Sequence, residues 1–376
     1  MRLGMIGCGA ITKGQHLPAA ASNEHTEIAA LVDSHLPNAQ QLADDFELSA
    51  IVAADYKEII DKIDIAVVAV PHHLHAPIAL DLLKHGIHVL VEKPMAITAH
   101  DCGQMIQAAK TAPGGPVVLA VGHIRRFFRN SLYVKEILER GFLGPIKSFD
   151  CREGTTSVWP RRSSTSFRYD KKLAGGGVLV DIGVHVLDLL LWWFGDYGCS
   201  LDGKPALRYF DDDMGGVEAN CLLEIEMHPA ASTDTNPAGA GDRDMILTPA
   251  VSGTVELSRT RDLRNSWIIC GERGTLEVST GPNSLIHLQL DGQQTALTGS
   301  ATRNRTADCR HVDVFARQYE DFLRAVTEHG KPLIPGEVGR RVVELIETCY
   351  AHKQPLQQPW LLLAPPMDGA LEGKPS

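Results

Sequence analysis

The first 122 residues alternate short β-branched runs with longer amphipathic stretches, the pattern of buried parallel strands joined by helices. Strands are predicted over 2–6, 28–32, 65–70, 88–91 and 117–121, with helices such as 76–84 and 99–111 between them. The run Pro113-Gly-Gly-Pro116 stops the last of these helices. Beyond Arg125 the pattern changes. A helix over 131–139 and a turn over 141–144 lead to strands at 146–152, 216–227, 251–258, 267–270, 274–279 and 285–290, around one apolar helical stretch at 178–194. Strands that accumulate without intervening helices predict an antiparallel sheet. Helical periodicity returns over 314–328 and 336–350, to pack on either the second sheet or the first domain.

With 376 residues, two domains are expected: 1–124 as a doubly wound parallel α/β unit, 125–353 as a second α/β unit, and 354–376 as a Pro-rich tail. The stretch 228–249, rich in Pro, Ala, Gly, Asp and Thr, reads as an exposed hairpin insertion, and the tail carries an apolar run, Trp360 to Leu363, suited to docking. A net charge of -10 opposes a nucleic-acid partner, which would need clustered Lys and Arg. The eight cysteines show no Cys-x-x-Cys spacing and the start runs straight into a strand, so free thiols and a cytoplasmic location are expected. Asp181, His185 and Asp188 interrupt the most apolar segment, which therefore reads as a buried helix rather than a membrane span.

The run Gly7-Cys8-Gly9-Ala10-Ile11-Thr12 follows the first strand. Gly7 suits a tight turn, and Gly9 suits a pyrophosphate approaching the helix that follows. Thr12 stands where the dinucleotide fingerprint has its third glycine, so a simple glycine turn is the competing reading. Asp33, ending the second strand, stands where a carboxylate meets the adenosine ribose hydroxyls. Ser34 and His35 follow it rather than Arg, which favours NAD over NADP.

Further motifs follow in order: Pro71-His72-His73-Leu74-His75, Glu92-Lys93-Pro94, Gly141 to Ile146, Gly175 to Asp188 and Gly271 to Val278. Together with the glycine loop they resemble the glucose-fructose oxidoreductase, inositol dehydrogenase and rhizopine-catabolism (Gfo/Idh/MocA) family. The resemblance implies a Rossmann domain followed by an α/β domain with a large, mostly antiparallel open sheet that mediates homodimer or homotetramer contacts. It also implies hydride transfer between NAD(P) and a secondary alcohol or ketone of a sugar, cyclitol or sugar derivative, phosphorylated and nucleotide-linked ones included. The cofactor would meet Gly7, Gly9, Ala10, Ile11, Asp33, Pro71, His72, His75, Glu92 and Lys93, although relatives often carry Asn at the position of His72.

Lys93, at the carboxyl end of a parallel strand, matches the family's active-site lysine and would polarise the reacting oxygen. Asp181 and His185, four apart on a helix, match its catalytic pair: His185 would take the alcohol proton and Asp181 would position substrate. Asp188 supports this site or merely charges the helix. Arg126, Trp159 and Arg168, with Arg125, would grip polar substrate groups, against the alternative of solvated arginines and a core Trp. The run Ser258 to Asn265 is structural or faces a neighbouring subunit. His72, His73 and His75 lack a recognised metal-ligand spacing, so no metal is expected, and Asp211-Asp-Asp213 reads as a solvated acidic turn. Two other functions compete: an NAD-retaining glycosidase or lyase with transient oxidation and no net redox change, and a non-catalytic cofactor-binding regulator. Lys93, Asp181 and His185 together argue against the regulator.

Overall fold

Six apolar runs, too short for helices and mostly buried, assemble into a parallel sheet in the N-terminal part of the computed structural model, which describes residues 1–156, 166–195, 199–200, 206–212, 216–229, 250–282, 285–291, 297–300 and 311–357. The order is β1 (Arg2–Ile6), a π-helical turn (Thr12–His16) running into α1 (Leu17–Ala21), β2 (Glu27–Val32), α2 (Leu36–Asp45), β3 (Ile51–Ala53), β4 (Ile65–Val68), α3 (His75–Lys84), β5 (His88–Val91), α4 (Ala99–Lys110) and β6 (Leu119–Val121). The strands lie in the order β3-β2-β1-β4-β5-β6, and every pair is parallel. The winding reverses between β1 and β4. A crevice therefore opens outside the carboxyl ends of these two strands, where such folds take their ligands.

The second part comprises α5 (Arg129–Glu139), β7 (Ile146–Gly154), α6 (Lys171–Ala174), a π-helical turn (Leu179–Gly183), α7 (Val184–Gly195), β8 (Cys199–Ser200), β9 (Ala206–Asp211), β10 (Asn220–Pro229), β11 (Val251–Ser258), β12 (Ser266–Gly271), β13 (Gly274–Ser279), β14 (Leu285–Leu290), β15 (Leu297–Ser300), α8 (His311–Thr327), α9 (Gly336–Ala351) and β16 (Lys353–Pro355). Its main sheet runs β15-β14-β13-β12-β7-β11-β10-β9-β16 and is antiparallel except at β7–β11 and β9–β16. Strands such as β13 alternate buried and half-buried positions, so one face meets a core and the other is left open. Over that core lies α7, where Val186, Leu187, Leu190 and Phe194 pack with Trp193 on Trp267 and Phe149. The helical stretch Lys171–Gly195 is long and apolar enough to cross a membrane by composition, but 78% of its most apolar window is buried inside the protein.

The boundary expected at residue 125 is not a clean cut. Helix α8 returns to the first sheet, where Tyr319, Phe322, Leu323 and Val326 share a core with Leu3, Leu17 and Leu31. The connection from α8 to α9 extends β6, the Val121 amide donating to the Ile334 carbonyl at 3.0 Å. Helix α9 lies between α4 and α7. Asp211 corrects the expected acidic turn: it ends β9, is 3% exposed and faces Lys353 Nζ at 3.6 Å. The carboxylate of Asp212 accepts from the Ala219 amide at 2.9 Å and so closes the turn instead of being solvated. Asp213, nearly all of the stretch 228–249 and most of the tail lie outside the described residues.

Candidate functional site

The glycine loop leaves β1 through Gly7, whose φ of +96° is closed to most side chains and where a Cβ would lie 2.3 Å from the Ala69 carbonyl oxygen. At Gly9, by contrast, a Cβ would meet nothing within 4 Å. The fold itself places no demand for glycine there, whereas a ligand lying against the backbone would. Thr12, the departure from the dinucleotide fingerprint, is fully buried and donates its hydroxyl to the Gly7 carbonyl at 2.5 Å, closing the loop. Asp33 accepts from the Cys8 amide and the His35 amide, each at 2.9 Å, which ties the acid to the loop and leaves further lone pairs for hydroxyl donors.

A cleft of about 610 Å³ starts at this loop, between Gly9, Ala10, Ile11 and Asp33, passes Pro71, His72 and His75, and reaches Glu92, Lys93 and Arg168. The residues present fit an extended dinucleotide, with an acid at the ribose end and bare backbone where phosphates would lie. His75 is buried and holds two loops together, with Nδ1 at 2.7 Å from the Pro94 carbonyl and Nε2 at 2.9 Å from that of Val70. His72 packs edge-on to Phe167 and lies 2.7 Å from the Ala174 carbonyl, so it joins the two domains. Burial pushes the His72 imidazole down to about 3, which keeps it neutral and donating to that carbonyl.

Glu92 turns inward from the end of β5. It meets His16 Nε2 at 2.8 Å and accepts the Lys93 amide at 3.1 Å, so the residue before Lys93 is anchored on the π-helical turn. The Lys93 ammonium crosses to the second domain and donates to the Asp181 carbonyl at 2.8 Å, with the Asp181 carboxylate 3.7 Å away. Burial lowers the Lys93 pKa, and the charges of Asp181 and Glu92 oppose that shift. Arg168 donates to Asp181 Oδ1 at 2.8 Å, and Arg259 donates to Oδ2. Burial alone would raise the Asp181 pKa, but Lys93, Arg259 and Arg168 together hold it well below the ordinary carboxylate range.

Asp181 belongs to the π-helical turn and His185 to the first turn of α7. What fixes that turn is Glu218, 3% exposed, whose carboxylate accepts from the Gly177 and Leu179 amides, each at 2.9 Å, and from the Tyr350 hydroxyl at 2.8 Å. A Cβ at Gly177 would lie 2.0 Å from the Glu218 carbonyl oxygen, so this approach requires glycine. The His185 Nδ1 atom is buried without a hydrogen-bond partner among the described residues. Burial, then the charges of Lys93, Arg125, His123 and Arg259, hold its pKa well below the ordinary imidazole value.

The structure thus brings Lys93, Asp181 and His185 together with Arg168. It does not bring Arg126, which is a correction to the sequence-based substrate residues: its side chain is 6% exposed and clamps the fully buried Asp188 carboxylate at 2.7 Å while covering the Trp192 ring. Two charges removed from water need each other, so this pair builds the core of the second domain instead of gripping a ligand. Asp188 is settled by the same pair. Trp159 lies outside the described residues. Arg259 is the residue that sequence reasoning left undecided. It sits one position past β11, a strand flanked by β7 and β10 within the second sheet, and its ion pair with Asp181 is what selects it from the arginine-rich run.

Comparison with known proteins agrees with this geometry. Residues 1–123 match the profile "Oxidoreductase family, NAD-binding Rossmann fold", and residues 131–204 match the "GFO/IDH/MocA C-terminal domain". The levoglucosan dehydrogenase of Pseudarthrobacter phenanthrenivorans is 33% identical over 59% of this chain and 56% of its own length. The rhizopine catabolism protein MocA of Rhizobium meliloti is 31% identical over 52% of this chain and 57% of its own. The dTDP-3,4-didehydro-2,6-dideoxy-alpha-D-glucose 3-reductase of Saccharopolyspora spinosa is 28% identical over 92% and 94%. The chain spans about half the length of most of the curated relatives it matches. Among solved structures, levoglucosan dehydrogenase in complex with NADH and levoglucosan superposes with a TM-score of 0.76 at 20% identity, covering 94% of this chain and 98% of that one. The glycine loop with its acid, the lysine after β5, and the aspartate and histidine entering α7 are joined by two profile matches in the right order, and the chain belongs to the Gfo/Idh/MocA oxidoreductase family, with an NAD-binding Rossmann fold as its first domain.

Proposed function

We propose that this protein is an NAD-dependent oxidoreductase that interconverts a secondary alcohol and the corresponding ketone on a sugar, cyclitol or sugar derivative. The observation that carries the reading is the position of Lys93. It stands at the carboxyl end of β5 in the cleft that begins at Gly9 and Asp33, with its ammonium on Asp181 and close to His185. Bound NAD supplies a hydride acceptor at nicotinamide C4. In the oxidation direction His185, held neutral, takes the hydroxyl proton while the carbon of the same group gives up its hydride and its C–O bond becomes C=O. Lys93 donates an N–H to that oxygen and stabilises the charge that develops on it. Asp181 holds the Lys93 ammonium in place and remains ionised throughout. In reduction the proton moves from His185 to the carbonyl oxygen.

Asp33 without a neighbouring Arg supports NAD over NADP, because a 2′-phosphate would face a carboxylate. The open face of the second sheet, lined by Arg152, Thr254 and Glu256, is the surface through which copies would associate. The test is a screen of sugars, cyclitols, their phosphates and nucleotide sugars with NAD and NADP, following nicotinamide absorbance. A net absorbance change with NAD supports the reading, and release of a sugar with no net NADH overturns it.

A further inference from the structure

Three buried ring nitrogens near the reacting groups have no hydrogen-bond partner among the described residues: Nδ1 of His185 and both ring nitrogens of His123. Such atoms are rare in folded proteins, because a buried donor or acceptor left unpaired is destabilising. His123 is 1% exposed and stands two residues past β6. The Gly122 amide donates to the Val91 carbonyl at 2.8 Å, and a Cβ at Gly122 would lie 3.0 Å from Glu92 Oε1, so His123 leaves the sheet beside Glu92 and Lys93. It then caps the 3₁₀ turn Ile124–Phe127, which lies against α7 and brings Arg126 onto Asp188. His185 and Asp188, three apart in α7, share one face of that helix.

Electrostatics groups the same residues. Asp188, Arg126, Lys93 and Glu92 act on His123, and His123 acts on His185. Burial holds both imidazoles below their ordinary pKa, so each is neutral, with one N–H and one lone pair. Of the His185 nitrogens only Nδ1 is enclosed without a partner, so Nε2 is the one open to a substrate. A base acting at Nε2 carries its N–H at Nδ1, and that N–H needs an acceptor. The side chains that act most on His185 are Lys93, Arg125 and Arg259, which have no lone pair to offer, and His123, which has one. Asp188 selects the His123 tautomer. Its Oδ2 accepts one of the three Arg126 bonds and keeps lone-pair capacity, so the carboxylate draws the His123 N–H and leaves the other nitrogen as an acceptor. Neither ring is the other's direct partner, so one water that takes the His185 N–H and gives a hydrogen to His123 is the shortest link.

We propose that His123 is a positioning residue for His185: through one bound water its lone pair accepts from His185 Nδ1–H, which fixes the tautomer that presents a free Nε2 lone pair to the substrate hydroxyl. This rests on the oxidoreductase reading above and deepens it. When Nε2 takes the proton, the same link keeps an acceptor on the imidazolium in a place where the nearest charges are positive.

The experiment reads the tautomer directly, by nitrogen-15 NMR of the full chain labelled at its histidine rings, the signal lost in His185→Asn identifying His185. In the wild-type protein His185 is expected in the form protonated at Nδ1, and His123→Phe should move it toward the Nε2–H form. With the substrate found in the screen above, His123→Phe should lower kcat by about 10²-fold, within the range a positioned base supplies, and leave KM within about 2-fold. His123→Asn and His123→Gln keep a donor and an acceptor, and at least one should recover part of kcat. A wild-type His185 protonated at Nε2 overturns the proposal without any variant. An unchanged tautomer in His123→Phe overturns it whatever kcat does, since His123 is then structural or, if KM rises, touches the substrate itself. A changed tautomer with unchanged kcat overturns it too. If no compound changes the nicotinamide absorbance, the oxidoreductase reading fails separately, and the tautomer of the unliganded protein still decides whether His123 holds His185.

Discussion

At the scale of single residues, charge decides which histidine and which arginines belong to the site. Burial together with Lys93, Arg125, His123 and Arg259 keeps His185 in its basic form well below the usual imidazole range. A group whose pKa is depressed loses its proton earlier as pH rises, so the base is present before ordinary titration would allow. The acid limb of kcat/KM for alcohol oxidation is therefore expected below pH ~6.5, the unperturbed imidazole value. Lys93→Met removes a facing cation and should move that limb upward while lowering kcat by roughly 10²- to 10³-fold. A limb unchanged in the variant would detach Lys93 from His185. Arg126 gives the opposite kind of result. Arg126→Met leaves the Asp188 carboxylate buried and unpaired, so a loss of roughly 3–5 kcal/mol in unfolding free energy is expected by chemical denaturation. The KM for substrate in the fraction that folds should stay near the wild-type value.

Among the elements, the start of α7 carries the greatest consequence, because Asp181 and His185 are both placed by it. Its π-helical turn is held from outside by Glu218, two residues before β10, and by Tyr350 near the end of α9. Glu218→Gln turns one acceptor oxygen into an NH2 group facing an amide donor, so roughly 1–3 kcal/mol of stability should be lost, and kcat should fall with it as the turn loosens. Tyr350→Phe removes one bond and should cost about 1 kcal/mol. The sequence made the helix and its two polar residues legible, since Asp181 and His185 interrupt an otherwise apolar run. It could not show the π-helical turn or its anchor, because Glu218 lies 39 or more residues from the groups its carboxylate binds. The same limit governs the strands. Strands such as β11 and β13, with alternating or β-branched residues, were readable, and so was β6 inside an apolar run, whereas β3, β9 and β16 were not; β3 and β16 have three residues each and pair with a single neighbour. In the site, local spacing pointed to Gly7, Gly9 and Asp33, while Lys93 was singled out by the resemblance to the family. Arg259 pairs with Asp181 across 78 residues and Arg126 with Asp188 across 62, and no local window contains either pair.

For the molecule as a whole, α8 and α9 make the two domains interdependent. Phe322 is 1% exposed and packs in the core that holds Leu3, Leu17 and Leu31, so residues 1–124 lack part of their own interior when taken alone. Helix α9 is fixed to the first domain where Glu347 accepts the Ala99 amide at 3.1 Å, and to the second where Tyr350 meets Glu218. Separation of the domains would thus expose apolar surface on both and break buried polar contacts at each end. Two consequences are expected. Thermal unfolding followed by fluorescence and by far-ultraviolet circular dichroism should give one coincident transition, and two resolved transitions would show that the domains are independent. Phe322→Ala, about 3–5 kcal/mol destabilising for a buried phenylalanine, should lower that single transition and weaken NADH binding, although Phe322 does not line the cleft. A fragment of residues 1–124 should bind no NADH and show the weak near-ultraviolet signal of a loosely packed core. Should that fragment instead fold and bind NADH with the affinity of the full chain, α8 would be a mere attachment, and the placement of Lys93 would owe nothing to the helices that close the fold.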